Sequence, residues 1–264
     1  MLRMTALLTA LLTVLGSHGA SLEGRQLANK EGSAKAKFEA LVEEYEDVGN
    51  ARKFAEKFLQ FAEKNRTDPV AVDALAWVLT NQRFRPVADR ALKLLKSQHL
   101  RSKHLSKAFE SVAEGLGLNA RRLLQAALKS SPHIDVQGQA CFHLVALLDG
   151  QLRIAKQIRS QPKKLKRAEQ YYGKTLTKHL LNLKVSQVGV EKERLCERML
   201  KSFAKVKTDD GSLGEYAKKA LFAMRHLTVG RTAPDIAGED IGGRRFKLSN
   251  YRGKVVMLSF WGHW

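Results

Sequence analysis

At 264 residues, with 44% hydrophobic side chains, the chain has room for one large domain or two small ones and enough apolar mass for a sizeable core. Leu, Ala, Lys and Arg dominate and only 5 prolines interrupt them, which favours helix over sheet for most of the length. The formal charge of +20 suggests a polyanion partner, but the most basic stretch, residues 151–207 with 16 Lys/Arg against 4 Asp/Glu, holds no nucleic-acid-reading module. Tyr171 and Tyr172 are its only aromatics before Phe203. The stretch therefore reads as solvated helix faces whose long side chains cover apolar surface, and it argues against specific nucleic-acid recognition.

Residues 1–20 read as a secretory signal. Arg3 gives a positive start and Thr5 to Leu15 an apolar run. That run is far short of the ~20 residues a spanning helix needs. Ser17-His18-Gly19-Ala20 offers a place for cleavage, and no cysteine follows to carry a lipid. An exported protein, periplasmic or extracellular, is the expectation, with no membrane span. Export places the chain where disulfides persist, so Cys141 and Cys196 could pair; the sequence leaves this open.

Residues 21–32 read as a linker and 33–227 as a helical domain. Phe38, Leu41, Val42 and Tyr45 recur at helical spacing, followed by Phe54, Phe58 and Phe61. Pro69, after the capping pair Thr67-Asp68, opens a helix through Val70, Ala74, Leu75, Val78 and Leu79. Pro86 precedes the stripe Val87, Ala91, Leu92, Leu95. Further stripes run through Leu105, Ala108, Phe109, Val112 and Leu116, then Leu123, Leu124, Ala127 and Leu128. Pro132 opens Ala140, Leu144, Leu147 and Leu148. Pro162 divides two basic helical stretches. Tyr172, Leu176 and Leu180 make one more stripe, Leu195, Met199 and Phe203 another. The last is Leu213, Tyr216, Ala220, Leu221 and Met224. Short helices on short loops should pack antiparallel to their neighbours. The proline-led starts at Thr67 and Ser131 resemble the helical hairpins of tetratricopeptide arrays, although the period is irregular; an irregular bundle is the other reading.

After Leu227 the pattern changes. Gly242-Gly243 between Ile241 and Phe246 reads as a hairpin turn, and Ser249 as a cap for a short turn before Gly253. The run Val255-Val256-Met257-Leu258-Ser259-Phe260-Trp261 suits a central parallel strand covered on both faces. The expected fold is thus mainly α, possessing helical hairpins, followed by strands.

The tail carries a longer pattern. Gly230-Arg231-Thr232-Ala233-Pro234-Asp235, then Phe246-Lys247-Leu248-Ser249-Asn250-Tyr251-Arg252-Gly253-Lys254-Val255-Val256, then Phe260-Trp261-Gly262-His263-Trp264 resembles the opening of the redoxin families: the TlpA/ResA-type thiol-disulfide oxidoreductases and the AhpC/TSA peroxiredoxin relatives. The helical region more loosely resembles the N-terminal extension of exported bacterial members. The resemblance implies that residues 228–264 are the first part of a thioredoxin-like α/β domain. In those families Cys-Gly-Pro-Cys follows Phe-Trp-x-x-Trp, and the first cysteine is ionised at a helix N-terminus to attack a disulfide. Phe260 and Trp261 would then be the strand end beneath the active site, and Trp264 the residue before the nucleophile. Ser259 stands where thioredoxins often carry a buried aspartate. The nucleophile, the resolving cysteine and the later cis-proline loop would lie beyond Trp264, so no catalytic residue is assigned within the chain. The expectation is a shortened chain, a frameshift or nonsense change, or a UGA codon that specifies selenocysteine. The implied substrates are protein disulfides or peroxides, with no cofactor and no metal. A partner protein for the helical domain, acting as a binding module without catalysis, is the alternative.

Other candidates are weaker. Cys141 lies on an apolar helix, as a small buried hydrophobe would. Cys196 has Arg194, Arg198 and Lys201 nearby, which could favour a thiolate, though an inert half-buried position is expected. The histidines show no metal spacing, and Asn65-Arg66-Thr67 matches a glycosylation sequon.

Overall fold

A helix satisfies its own backbone, so each apolar stripe can fold locally and then bury itself against the next. The computed structural model describes residues 32–82, 86–259 and 261–262. The expected signal segment, and all of the expected linker except Gly32, lie outside the described residues.

The chain divides into two units, Met1–Asn50 and Ala51–Trp264. In the first, helix α1 (Ala34–Val48) starts on Ser33, whose Oγ accepts from the Ala36 N–H at 3.1 Å. Its stripe of Phe38, Leu41, Val42 and Tyr45 is half-buried.

The second unit opens with α2 (Ala51–Lys64), α3 (Val70–Gln82) and α4 (Pro86–Gln98). The Asp68 carboxylate accepts from the Val70 N–H at 2.9 Å, and Pro69 sits in the turn before α3, where a missing N–H costs nothing. Phe58 stacks on Trp77 with centroids 4.0 Å apart, joining α2 to α3. A 3₁₀ turn (Leu105–Ala108) leads into α5 (Phe109–Glu114) and α6 (Leu118–Ser130).

Helix α7 (Ile134–Ser160) is the spine. Its 27 residues span roughly 40 Å at 1.5 Å each, long enough to touch α5, α6 and two later helices. A second 3₁₀ turn (Pro162–Lys164) separates it from α8 (Leu165–Tyr172) and α9 (Lys174–Leu181). The stripe through Tyr172, Leu176 and Leu180 is therefore split across two helices rather than carried by one. Gly173 breaks it at φ 83°, a conformation that other residues adopt at a cost. Helix α10 (Val185–Ser202), a small ladder of β1 (Lys207–Thr208) on β2 (Gly211–Ser212), and α11 (Leu213–His226) complete the helical part. Ser212 and Glu215 form a reciprocal capping box at the start of α11.

The main core is filled by Phe54, Phe58, Phe109, Leu124, Leu144 and Leu148, all 2% exposed or less. A smaller cluster of Leu116, Ile154, Ala155, Ile158 and Leu180 ties α8 and α9 to the far end of α7. Leu116 has φ 54°, which is strained for a branched side chain. Two features of α7 hold it there. The Gln151 amide donates to the Leu116 carbonyl at 2.7 Å, and at Gly150 a Cβ would come within 2.6 Å of the Leu116 side chain.

After α11 the chain forms an antiparallel hairpin, β3 (Ala237–Glu239) on β4 (Arg245–Lys247), then a 3₁₀ turn (Leu248–Tyr251). The expected fold class, mainly helical and followed by a few short strands, is the one observed. No helix among the described residues is long and apolar enough to cross a membrane.

Candidate functional site

The C-terminal segment is built around two aspartates. The Asp240 Oδ1 accepts from the Gly242 and Arg244 N–H groups, both at 2.9 Å, and this fastens the expected turn. Gly243 takes φ 75° to complete it. On the hairpin, Gly238 faces Phe246 in register, and a Cβ on Gly238 would lie 3.4 Å from the Phe246 ring. The ring thus covers a strand position that has no side chain of its own.

Asp235 clamps the next turn. Its carboxylate accepts from the Ser249 N–H at 2.7 Å and from the Ser249 hydroxyl at 2.9 Å. These two hydrogen bonds hold the Asp235 carboxyl below its usual range. The Leu248 N–H donates to the Ile236 carbonyl at 2.8 Å, so the turn is stitched to the strand before it. Ser249 was expected to cap the turn. It lies inside the turn instead, with its own groups bound by a residue 14 positions earlier.

The expected central strand differs most. Among the described residues, 255–259 pair with no neighbour. Val255 and Met257 are 105% and 92% exposed, Val256 and Leu258 42% and 50%. The alternation is that of an extended chain whose two faces differ. A strand exists only by lending its N–H and C=O groups to a neighbour, and no described residue receives them. Trp261 is 87% exposed, and Ser259 is exposed too. Phe260 and Trp264 lie outside the described residues.

The two cysteines lie in the helical core, on α7 and α10. Both are fully buried and free. The Cys141 Sγ donates to the Leu195 carbonyl at 3.4 Å. Burial pushes the Cys141 thiol up to about 12 and the Cys196 thiol up to about 11. Lys192 pulls Cys196 the other way, but burial outweighs it, and Asp149, Glu193 and Glu197 add to the rise. The basic neighbours in sequence thus do not make a thiolate, because burial dominates and acids on the same helix and on α7 oppose the cations. Cys196 is also more deeply buried than expected. Neither thiol is a nucleophile at neutral pH. The Asn65 amide donates to the Phe61 carbonyl at 2.8 Å, within the turn that ends α2.

The hydrogen bonds of the described segment fix a hairpin and a turn ahead of the run at 255–259. No family model matches the chain, and no solved structure matches it. Curated relatives match over a short stretch. The thiol-disulfide oxidoreductases ResA of Geobacillus thermodenitrificans and Geobacillus kaustophilus are each 53% identical over 38 residues, which is 14% of this chain and 22% of theirs. The ResA of Bacillus subtilis is 41% identical over 54 residues, 20% of this chain and 30% of its own length. The chain thus spans less than a third of the relatives it matches, and the similarity is local.

Proposed function

We propose that the C-terminal segment is the opening of a thioredoxin-like thiol-disulfide oxidoreductase domain, joined to an exported helical domain. The observation that carries this reading is the pattern from Gly230 to Trp264, found in one register and accompanied by local identity to ResA proteins. The matched stretch of 38 residues has about the length of that segment. Because the matching relatives bear the name of thiol-disulfide oxidoreductases, disulfides are favoured over peroxides as substrates.

In this reading the hairpin and the Asp235–Ser249 clamp fix where the chain enters the sheet. The run Val255 to Trp261 becomes a covered strand once neighbours flank it, with Phe260, Trp261 and Trp264 beside the reacting atoms. The whole protein carries a cysteine or selenocysteine next after Trp264, at the start of a helix that favours its ionised form. That anion attacks one sulfur of a substrate disulfide, forming a mixed bond and releasing the other sulfur as a thiolate. A second cysteine then displaces the substrate, leaving it reduced and the domain oxidised.

The test is to read the natural transcript through the codon after Trp264 and to assay the complete product for insulin reduction. A cysteine or selenocysteine codon followed by Gly-Pro-Cys, with turnover lost on nucleophile→Ser substitution, is the expected result. Any other residue at that codon overturns the proposal. The 264-residue chain alone should reduce no insulin, because its two thiols are buried and protonated.

A further inference from the structure

Between the last turns of α7 and helix α8 lies a cleft of about 470 Å³. Its floor is apolar, made by Ile154 and Ile158, each 7% exposed, and by Ala168. One wall is aromatic: Tyr171 and Tyr172 meet edge to face with centroids 4.8 Å apart, and Tyr171 is 62% exposed. Lys164 and Arg167, both exposed, line the cleft too, as do Gln157 and Gln161.

The charge around this cleft is uncompensated. Elsewhere several helices pair cations with acids. Arg90 meets Glu56, Arg121 meets Glu191, Lys192 meets Asp149, and Arg225 meets both Glu193 and Glu197. Between residues 151 and 184 stand 10 Lys/Arg against the single acid Glu169, and among the described residues no ion pair falls in that span. Arg159 is occupied, donating to the Leu181 and Leu183 carbonyls at the end of α9. Lys163, Lys164, Lys166 and Arg167 are not. Like charges this dense repel one another, and a ligand bearing carboxylates relieves that repulsion.

We infer that this cleft docks an acidic, extended segment of a partner protein, with an apolar side chain on the Ile154–Ile158 floor and flanking carboxylates at Lys164 and Arg167. A lipid surface fits less well. Interfacial helices bury an exposed apolar face in the membrane, whereas Leu165, Ala168 and Tyr172 of α8 are turned inward onto the cluster at Leu116. The volume is that of a pocket that encloses a small ligand or a few side chains. This inference stands apart from the redox reading and does not need it.

Fluorescence anisotropy of a labelled acidic peptide with one central leucine, titrated with the full chain at about 0.1 M salt, tests it. Saturation at one peptide per chain is expected. The double change Lys164→Glu with Arg167→Glu should weaken binding about tenfold or more, and Tyr171→Ala, which leaves the charge alone, about threefold or more. Lys129→Glu with Lys218→Glu, the same charge change on distant helices, should leave affinity within about twofold. Three results would overturn the proposal. One is unsaturable binding. Another is an equal loss in the two double variants. The third is competition by heparin or by phosphatidylglycerol vesicles as effective, per charge, as that by unlabelled peptide.

Discussion

The helical part and the C-terminal segment are both rich in large apolar side chains, and they treat them oppositely. Phe54, Phe58 and Phe109 are 0% exposed, while Val229, Ile241 and Val255 exceed 100% and Met257 reaches 92%. The difference is not hydrophobicity but where the backbone finds its partners. A helix closes its hydrogen bonds within one segment, so a stripe at 3.6-residue spacing needs only the next stripe to bury itself. A strand needs a neighbour for every N–H and C=O, and the neighbour is remote in sequence. The run at 255–259 has its pattern and lacks its ladder, so its side chains stay in water.

The sharpest way to break this comparison is truncation in each region. Phe109→Ala removes a ring from the junction of α5 with α7 and should cost about 3–5 kcal/mol in urea unfolding. Met257→Ala removes a chain with nothing packed on it and should fall within about 0.5 kcal/mol of the parent. Limited trypsin should also cut at Arg244, Arg245, Arg252 and Lys254, all exposed, long before the helices open. Comparable losses in the two variants, or comparable protease resistance, would show that the tail shares the core.

The same contrast explains what was legible in the sequence. Stripes such as Leu105–Ala108–Phe109–Val112 and Leu123–Leu124–Ala127–Leu128 are buried as the spacing predicts, because period and partner are both local. The ladder of β1 on β2 went unread, although Asp209-Asp210-Gly211 is a turn signal and Ser212-Leu213-Gly214-Glu215 a capping box. Leu116 at φ 54° could not be read at all, since its support comes from Gln151 and Gly150 on another helix. In the candidate site the Gly242-Gly243 turn was visible from two residues. The Asp235–Ser249 clamp was not, because a hydrogen bond across 14 positions leaves no periodic trace.

A smaller effect separates the regions by pH. His143 is half-buried between the Phe109 and Phe142 rings, with centroids 6.0 and 5.1 Å away, and burial pushes it down to about 4. In the unfolded chain it titrates near 6.5. Protons therefore bind the unfolded state first as pH falls. The stability tied to a neutral His143 is complete above about 6.5 and is lost progressively toward 4. His99 and His179 are also lowered, chiefly by burial, and act in the same direction. Replacing His143→Phe should flatten the loss of stability between pH 6.5 and 4 by up to one proton's worth. An unchanged slope would mean that the ring is solvated.

The smallest effect contrasts two hydroxyl–carboxylate locks of like chemistry. Ser212 and Glu215 fasten the first turn of α11, whose Leu213 and Ala217 are 0% exposed. Ser249 and Asp235 fasten a turn followed by exposed chain. In each, the serine groups hold the acid below its usual range. Ser212→Ala should cost about 1 kcal/mol of global stability, since the cap is coupled to buried packing. Asp235→Asn keeps the shape, weakens the acceptor and should not move the global midpoint at all. Its effect should be local: the Ser249 amide loses protection from hydrogen exchange, because opening that turn unpacks nothing. If Asp235→Asn shifted the midpoint as far as Ser212→Ala, the turn at Ser249 would be coupled to the core after all. The boundary between self-sufficient helix and partner-dependent strand would then lie nearer the end of the chain than Leu227.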